Sequence, residues 1–383
     1  MSGMSLLQSD WTLALWAVLM FIAALGFWAD RTKLGQNISG AAIILAVSMG
    51  LSNFGFLPKT AEPYNVVWSV FVPLAIPLLL LKADLRRVIA ETKGMLVAFF
   101  LGAIGTSFGA LLGYYLLPLG DQAGKLASVF SATYIGGSMN MAAVTQAVGL
   151  DPSIATASVA ADNVVGVMYL AFLALVPSLG LFRWWFNHSG KSDGATVETS
   201  VSQENTEDGV YIDLRHMGLA LGIAFTICAV GKFLADLFGV AGYSIMFITA
   251  ITVAVANIFP KQLKNIKGDY EMGLFFMYLF FAVIGVSADV VAMLDKAMVI
   301  ALYALIIVVC HGLVIFGGSK FFKLDLMEVV IASNACASGP ASAAALAAGK
   351  GRRDLVAPAV LLGVFGYAVA NFVGVGLNVW LGN

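Results

Sequence analysis

Apolar residues along this chain come in long blocks separated by short polar turns, and block length sets the first expectation. Trp11 to Ala29, Ile38 to Leu57, Val66 to Leu81, Gly94 to Leu117 and Ile154 to Val176 are five blocks of the first half. Met217 to Phe238, Tyr243 to Phe259, Gly273 to Val290, Met298 to Gly318 and Leu355 to Val379 are five of the second. Most reach or approach the roughly 17 to 25 residues an α-helix needs to cross hydrocarbon. Between the fourth and fifth block of each half stands a segment of another kind, rich in small residues and polar at a few points. These are Ser131 to Gln146, SATYIGGSMNMAAVTQ, and Ile331 to Leu346, IASNACASGPASAAAL.

The two segments match without gaps at an offset of 200 residues, which pairs Ser138 with Ser338 and Gly149 with Gly349. Further matches occur in the same order. Lys82-Ala83-Asp84 is echoed by Ser287-Ala288-Asp289, and Asn163-Val164-Val165-Gly166 by Asn371-Phe372-Val373-Gly374. Ordered matches imply an internal duplication. The expected division is a first membrane repeat over 1–182, a polar cytoplasmic linker over 183–215 and a second membrane repeat over 216–383. Residues 188–213 carry Ser, Thr, Gly and acids without an apolar core, which is linker composition.

Charge placement tests how the small-residue segments sit. If both cross the membrane fully, the better orientation leaves 11 Lys and Arg on one side and 10 on the other. If both dip in and return, all except Lys59, Lys125, Lys232 and Lys296 fall on one side, 17 against 4. Basic residues in short loops mark the cytoplasmic side, so the second arrangement is favoured, with the linker inside. Five spans per half is an odd number, so the halves would have opposite orientations. The expected fold is an all-α polytopic membrane protein of two inverted-topology repeats, each about five transmembrane helices plus a re-entrant hairpin or broken helix.

Composition agrees: the chain is 60% hydrophobic and 11% charged, with mean hydropathy +0.91, against roughly a quarter charged residues in soluble domains. A net charge of -1 and the lack of a basic tract exclude a nucleic-acid partner. Cys228, Cys310 and Cys336 show no CxxC pairing, so neither a disulfide framework nor a metal site is expected. Asp10 precedes the first apolar block where a signal peptide would carry positive charge, so that block reads as a retained helix in a multi-pass inner-membrane protein. Pro73 and Pro77 should bend the third span. Gly102, Gly105, Gly109 and Gly113 should let the fourth approach a neighbour closely.

Candidate chemistry collects at the two small-residue segments. Gly136-Gly137-Ser138-Met139-Asn140 has a hairpin tip's permissive backbone with oxygen and amide donors beside it. Its companion offers Asn334, Ser338 and Gly339, with Pro340 breaking the helix. Backbone that leaves the helix at membrane depth belongs beside protein or a water-lined cavity. The substrate-binding candidates are therefore Gly136, Gly137, Ser138, Asn140, Asn334, Ser338 and Gly339, with Thr145 and Gln146 as further polar neighbours. Asp162 is the leading electrostatic residue, since a carboxylate inside a span is costly unless it meets an ion or a proton. Asn163 and Asn371 join it as candidate coupling-ion ligands, with Asp162 holding Na+ as the metal. His311 reads as a local hydrogen-bonding group, and Cys336 as a packed side chain without a neighbouring base. There is no HExxH, nucleophile elbow or P-loop, so no enzyme and no bound cofactor is expected beyond Na+ or H+ as coupling ion.

The stretches Ala132 to Asn140, Ala161-Asp162-Asn163 and Ala332 to Pro340 resemble the YjcL-like family of uncharacterised bacterial integral membrane proteins, over nearly the whole chain. More distantly, the paired segments look like the hairpins of sodium-coupled glutamate and citrate carriers. That likeness implies an elevator mechanism, in which a motif-bearing unit moves against a scaffold. Gly136 and Gly137 match the Gly-Gly tip of those carriers, whereas Ser138-Met139-Asn140 departs from them, and Ala337-Ser338 stands where their second tip has Gly-Gly. Asp162-Asn163 is also similar to the acidic and amide pair of sodium/proton antiporters. The expected function is Na+-coupled uptake of a small organic solute, with Na+/H+ exchange and a non-transporting receptor or assembly protein as alternatives. The expected partners are a small-molecule or ion substrate, membrane lipid and a second copy in a homodimer.

Overall fold

The computed structural model describes residues 5–32, 40–186, 213–240, 244–288 and 290–382. Most of the linker, with Lys33, Lys191, Tyr243 and Asp289, lies outside the described residues. All described regular structure is helical. In chain order the first half comprises α1 (Thr12–Asp30), α2 (Gly40–Asn53), α3 (Glu62–Leu80), α4 (Leu85–Leu116), α5 (Ala123–Gly136), α6 (Ser138–Val148), α7 (Pro152–Leu175) and a short α8 (Gly180–Phe186). The second half comprises α9 (Leu214–Leu237), α10 (Ser244–Ile258), α11 (Asp269–Ser287), α12 (Val290–Phe321), α13 (Leu326–Ser338), α14 (Pro340–Gly349) and α15 (Val356–Trp380).

Among the described residues, eight helices are long and apolar enough to cross a membrane: α1, α3, α4, α7, α9, α11, α12 and α15. The other two expected spans, α2 and α10, are helical over 14 and 15 residues among the described ones. The first of them ends at Asn53, before the hydrophobic run does at Leu57. Gly55 takes a positive φ of 80°, and the freed carbonyls of Gly55 and Phe56 accept from the backbone of Leu6 and Leu7.

The prolines of α3 show how one helix repairs another. Pro73 and Pro77 cannot donate to the carbonyls four residues back, at Ser69 and Pro73. Helix α9 supplies replacements one turn apart: Lys232 Nζ donates to Ser69 at 3.0 Å and Cys228 Sγ to Pro73 at 3.3 Å. A π-helical turn over Val67–Phe71 precedes the prolines and absorbs the distortion. Cys228 and Lys232 are thus explained by packing.

The helices form two layers. Helices α1, α2, α3, α9, α10 and α11 pack densely on one another, as do α4 to α7 and α12 to α15, and contacts between the layers are sparser. Each half of the chain contributes its first three helices to one layer and the remainder to the other. In the second layer α4 and α12 run antiparallel at very close range. A Cβ at Gly102 would stand 2.7 Å from His311, at Gly109 2.8 Å from Ile307 and at Gly113 2.5 Å from Tyr303. The glycine row thus has the packing role its spacing predicts.

Both small-residue segments are hairpins. The chain leaves the first where it entered: Lys125 Nζ donates to the Gly149 carbonyl at 2.9 Å, and the Asp151 N–H donates to Gln122 Oε1 at 2.9 Å. At the second, Arg352 reaches back to Asp325, the residue that caps α13, at 3.4 Å. Helix α15 shows that they open in opposite directions. Gly363 abuts Pro340, just past the second tip, Gly366 and Ala370 abut Gly136 at the first tip, and Gly374 abuts Ser128, two turns back along α5. The tips therefore meet near the middle of α15.

This arrangement fixes where the charges lie. One end of the bundle gathers Lys82 with Asp269, Ala83 with Asn257, and Gly94 with Glu328, together with the open end of the second hairpin. The opposite end gathers Asn53 with Ala288, Gly120 with Lys296, and the open end of the first hairpin. Lys82 and Arg352 thus belong to the first end and Lys125 and Lys296 to the opposite one, the division that the dip-and-return arrangement expects of these four.

Candidate functional site

Each hairpin turns on one glycine in a backbone region closed to other residues. Gly137 has φ 79° and ψ 177°, and Gly339 has φ 91° and ψ -173°; both lie in the mirror-extended region that only glycine occupies readily. The equivalent tips are thus Gly137 and Gly339, two residues away from the 200-residue register of the sequence match. The demand for glycine at the turn, rather than residue similarity, sets the true alignment. The tips touch, for a Cβ on Gly137 would lie 3.3 Å from the Gly339 nitrogen and from the Ser338 carbonyl group.

Breaking a helix exposes its last carbonyls, and the first tip assigns most of them a donor. Thr133 accepts from the Gly137 N–H at 2.6 Å, and Gly136 from Asn140 Nδ2 at 2.9 Å. The Tyr134 carbonyl accepts from Thr106 Oγ1 at 3.2 Å and from Cys336 Sγ at 3.3 Å. Cys336 is fully buried, and its work is to join the second hairpin to the first. At the second tip Ser342 Oγ lies 3.0 Å from Asn334 Oδ1 and 3.2 Å from the Gly339 carbonyl, tying the arms together. Asn334 is fully buried, while Ser338 is exposed and contributes its backbone to the meeting of the tips.

Asp162 lies half-buried on α7 beside the first tip. Ser138 Oγ donates to its Oδ2 at 3.3 Å. The Tyr134 hydroxyl lies alongside the carboxylate without closing a hydrogen bond of ordinary geometry. One turn on, Gly166 leaves open space, where a Cβ would meet only Asp162 Oδ1 at 3.8 Å. The carboxylate is thus surrounded by hydroxyls and room. Asn163 spends its amide on its own helix, donating to Val159 at 2.8 Å.

Asn371 is placed elsewhere. It sits on α15, where its Nδ2 donates to Thr249 Oγ1 of α10 at 3.3 Å. It shares a small pocket with Asn140 and Tyr367 on the seam between the layers. The structure therefore brings Ser138 to Asp162 and Asn140 to Asn371, on two sides of the same turn, and it does not bring Asn371 to Asp162. Thr145 is buried, and Gln146 Nε2 donates to the Trp68 carbonyl of α3 across the seam.

A buried chain of polar groups lies behind the tips. Tyr169 and Ser333 hydroxyls are 2.6 Å apart, Ser333 Oγ is 3.0 Å from His311 Nε2, and His311 Nδ1 is 2.9 Å from Thr106 Oγ1. Thr106 gives its single proton to the Tyr134 carbonyl. Its oxygen then accepts from His311 Nδ1, leaving Nε2 to accept from Ser333 and Ser333 to accept from Tyr169. Every donor is used once, and His311 is the local hydrogen-bonding group expected of it. Sequence reasoning missed Tyr134, Thr106, Tyr169, Thr249 and Tyr367, because a tyrosine or threonine inside an apolar block carries no signal until its partner is known.

A family model described as "Protein of unknown function (DUF819)" matches residues 17–383. The chain is also similar to a Bacillus subtilis (strain 168) protein described as "Uncharacterized membrane protein YjcL". The two are 34% identical over 395 residues, covering 98% of this chain and 98% of the relative.

Proposed function

We propose that this chain, which belongs to the DUF819 family of proteins of unknown function, is a secondary active transporter that couples uptake of a small organic solute to Na+. The observation that carries this reading is the meeting of two oppositely opening hairpins at glycine tips beside the Asp162 carboxylate. Irregular backbone and a carboxylate inside a membrane bundle are both costly, and both make sense where an ion or solute is handled. The groups beside Asp162 are hydroxyls, which leave its charge to be met by a cation.

Two layers with sparser contacts between them suit an elevator movement. On this reading the hairpin layer carries the site past a scaffold of α1 to α3 and α9 to α11, and the halves are inverted repeats. The lysine- and arginine-rich end faces the cytoplasm of a cell whose inner membrane holds the protein, and the scaffold supports a homodimer. The second reading is Na+/H+ exchange, favoured by the same carboxylate, since a group that releases Na+ can take up a proton in its place.

The test uses purified protein in sealed proteoliposomes under opposed Na+ and H+ gradients, with internal pH and Na+ recorded together for wild type and Asp162→Asn. Reciprocal fluxes lost in the variant establish exchange. Na+ binding without exchange directs the search to Na+-driven solutes. Ligand binding with no flux of any kind, in protein shown to be folded, refutes transport and leaves a receptor.

A further inference from the structure

The small pocket on the seam holds an amide, Asn371, whose orientation its neighbour Thr249 defines. Thr249 gives its one proton to the Ile245 carbonyl at 2.8 Å, so its oxygen can only accept from Asn371. That places Nδ2 of Asn371 toward Thr249 and leaves Oδ1 without a partner, in a side chain only 2% exposed. Asn140 is oriented in the same way, because Nδ2 is committed to the Gly136 carbonyl at 2.9 Å. Each amide has committed one N–H to the protein, and both side chains line the space they share, where Asn371 Oδ1 is left without a partner. Apolar side chains, among them Leu79, Met139 and Met277, form most of the remaining wall, and no charged residue lines it. In this conformation there is room for a group of about the size of water.

A buried acceptor without a partner costs roughly 1–3 kcal/mol, and a ligand carrying donors relieves that cost. A cation would have to shed its water in a pocket that no charged residue lines, and a carboxylate ligand would face the unpartnered acceptor of Asn371. A neutral NH2 or comparable donor head suits that acceptor, and the methionines and leucines suit an apolar body. We infer that Asn140 and Asn371 form the solute site, and that the solute is a small uncharged molecule joining a donor head, such as a primary amide, to an apolar body. This rests on the transporter reading for its purpose. It assigns Asn371 to solute rather than to the coupling ion, which stays with Asp162 across the turn. The pocket also lies between the layers, with Ile76, Leu79 and Met277 on one side and Asn140, Tyr367 and Asn371 on the other, so relative movement of the layers would open it.

The experiment is a thermal-shift and equilibrium-binding comparison on the full-length protein in detergent, using isovaleramide, isovalerate and isoamylammonium, which share one skeleton. NaCl and choline chloride serve as ion controls. Wild type should bind the amide and neither charged analogue. Asn371→Leu removes the unpartnered acceptor together with the Nδ2 bond to Thr249, whose hydroxyl stays bonded to the Ile245 carbonyl. The two effects offset, so it should fold with a thermal stability close to wild type and yet bind the amide about tenfold more weakly, the factor equivalent to about 1.4 kcal/mol. Asn371→Asp should transfer preference to the ammonium. The inference is overturned by absence of a response to the amide, by equal response to isovalerate, by amide binding that survives Asn371→Leu, or by a Na+ response that Asn371→Leu abolishes. Amide binding without flux in proteoliposomes would refute transport while leaving the site. Ion exchange insensitive to the amide in protein that does not bind it would do the reverse.

Discussion

Alanine at Gly137 should damage the first hairpin far more than alanine at Gly149, although both glycines have positive φ. At Gly149 the backbone is left-handed helical, φ 60° and ψ 52°, and a Cβ meets nothing within 4 Å. Such a position charges an ordinary residue about 1 kcal/mol. At Gly137 the angles are φ 79° and ψ 177°, a region where non-glycine residues incur up to about 3 kcal/mol. The new methyl would also press on the second tip at 3.3 Å. The difference is roughly 2 kcal/mol or more, equivalent to about thirtyfold in a local opening equilibrium. Hydrogen exchange reads this directly at the Gly137 and Asn140 amides, which donate to Thr133 and Gly137. Gly137→Ala should lose about thirtyfold more protection there than Gly149→Ala loses at its own turn. Asparagine sharpens the contrast, being tolerated in the left-handed helical region but not at Gly137. Equal losses for the two alanine variants would refute the claim that the tip conformation and the meeting of the hairpins depend on this glycine.

Three further outcomes are expected. Ser138→Ala removes a single hydroxyl donor 3.3 Å from Asp162 and should change ion affinity severalfold, well short of the loss in Asp162→Asn; isothermal titration with Na+ compares them. His311→Leu leaves the Ser333 hydroxyl without its acceptor inside the bundle and should cost about 1–3 kcal/mol, with His311→Gln costing less, as measured by denaturant unfolding in detergent; a leucine variant as stable as wild type would count against the polar chain. At the open end of the second hairpin, hydrogen bonds from Arg352 hold the Asp354 carboxyl below the usual carboxylate range. A depressed carboxylate stabilises the fold above its unfolded pKa of about 3.9 and loses that contribution as pH falls through its folded value. Exchange of the amides over 350–355 should therefore accelerate below about pH 4, and more in wild type than in Arg352→Gln, though only modestly because the Asp354 side chain is 62% exposed.

Amino-acid order alone pointed to a bilayer as solvent, to the helical blocks and to the two hairpins, and it singled out Asp162 as the carboxylate to test. Each of these follows from local chemistry: apolar run length, the lysine and arginine count, glycine and proline at a turn, and the price of a carboxylate in hydrocarbon. It also indicated why Gly102, Gly105, Gly109 and Gly113 recur, since a row of missing side chains predicts a close neighbour even before that neighbour is known to be α12. Tertiary structure alone decided the pairings. The repeat match could not place the tips at Gly137 and Gly339, because similarity between small residues says nothing about which one must adopt an angle reserved for glycine. It could not separate Asn371 from Asp162, because successive polar positions around the Ser138 to Asn140 turn face different helices. Nor could it show that Cys228, Lys232, Thr106 and Cys336 repair carbonyls opened by prolines and helix breaks. A hydrogen bond between residues 28 to 202 positions apart has no trace in either sequence neighbourhood, and it exists only once the bundle has closed.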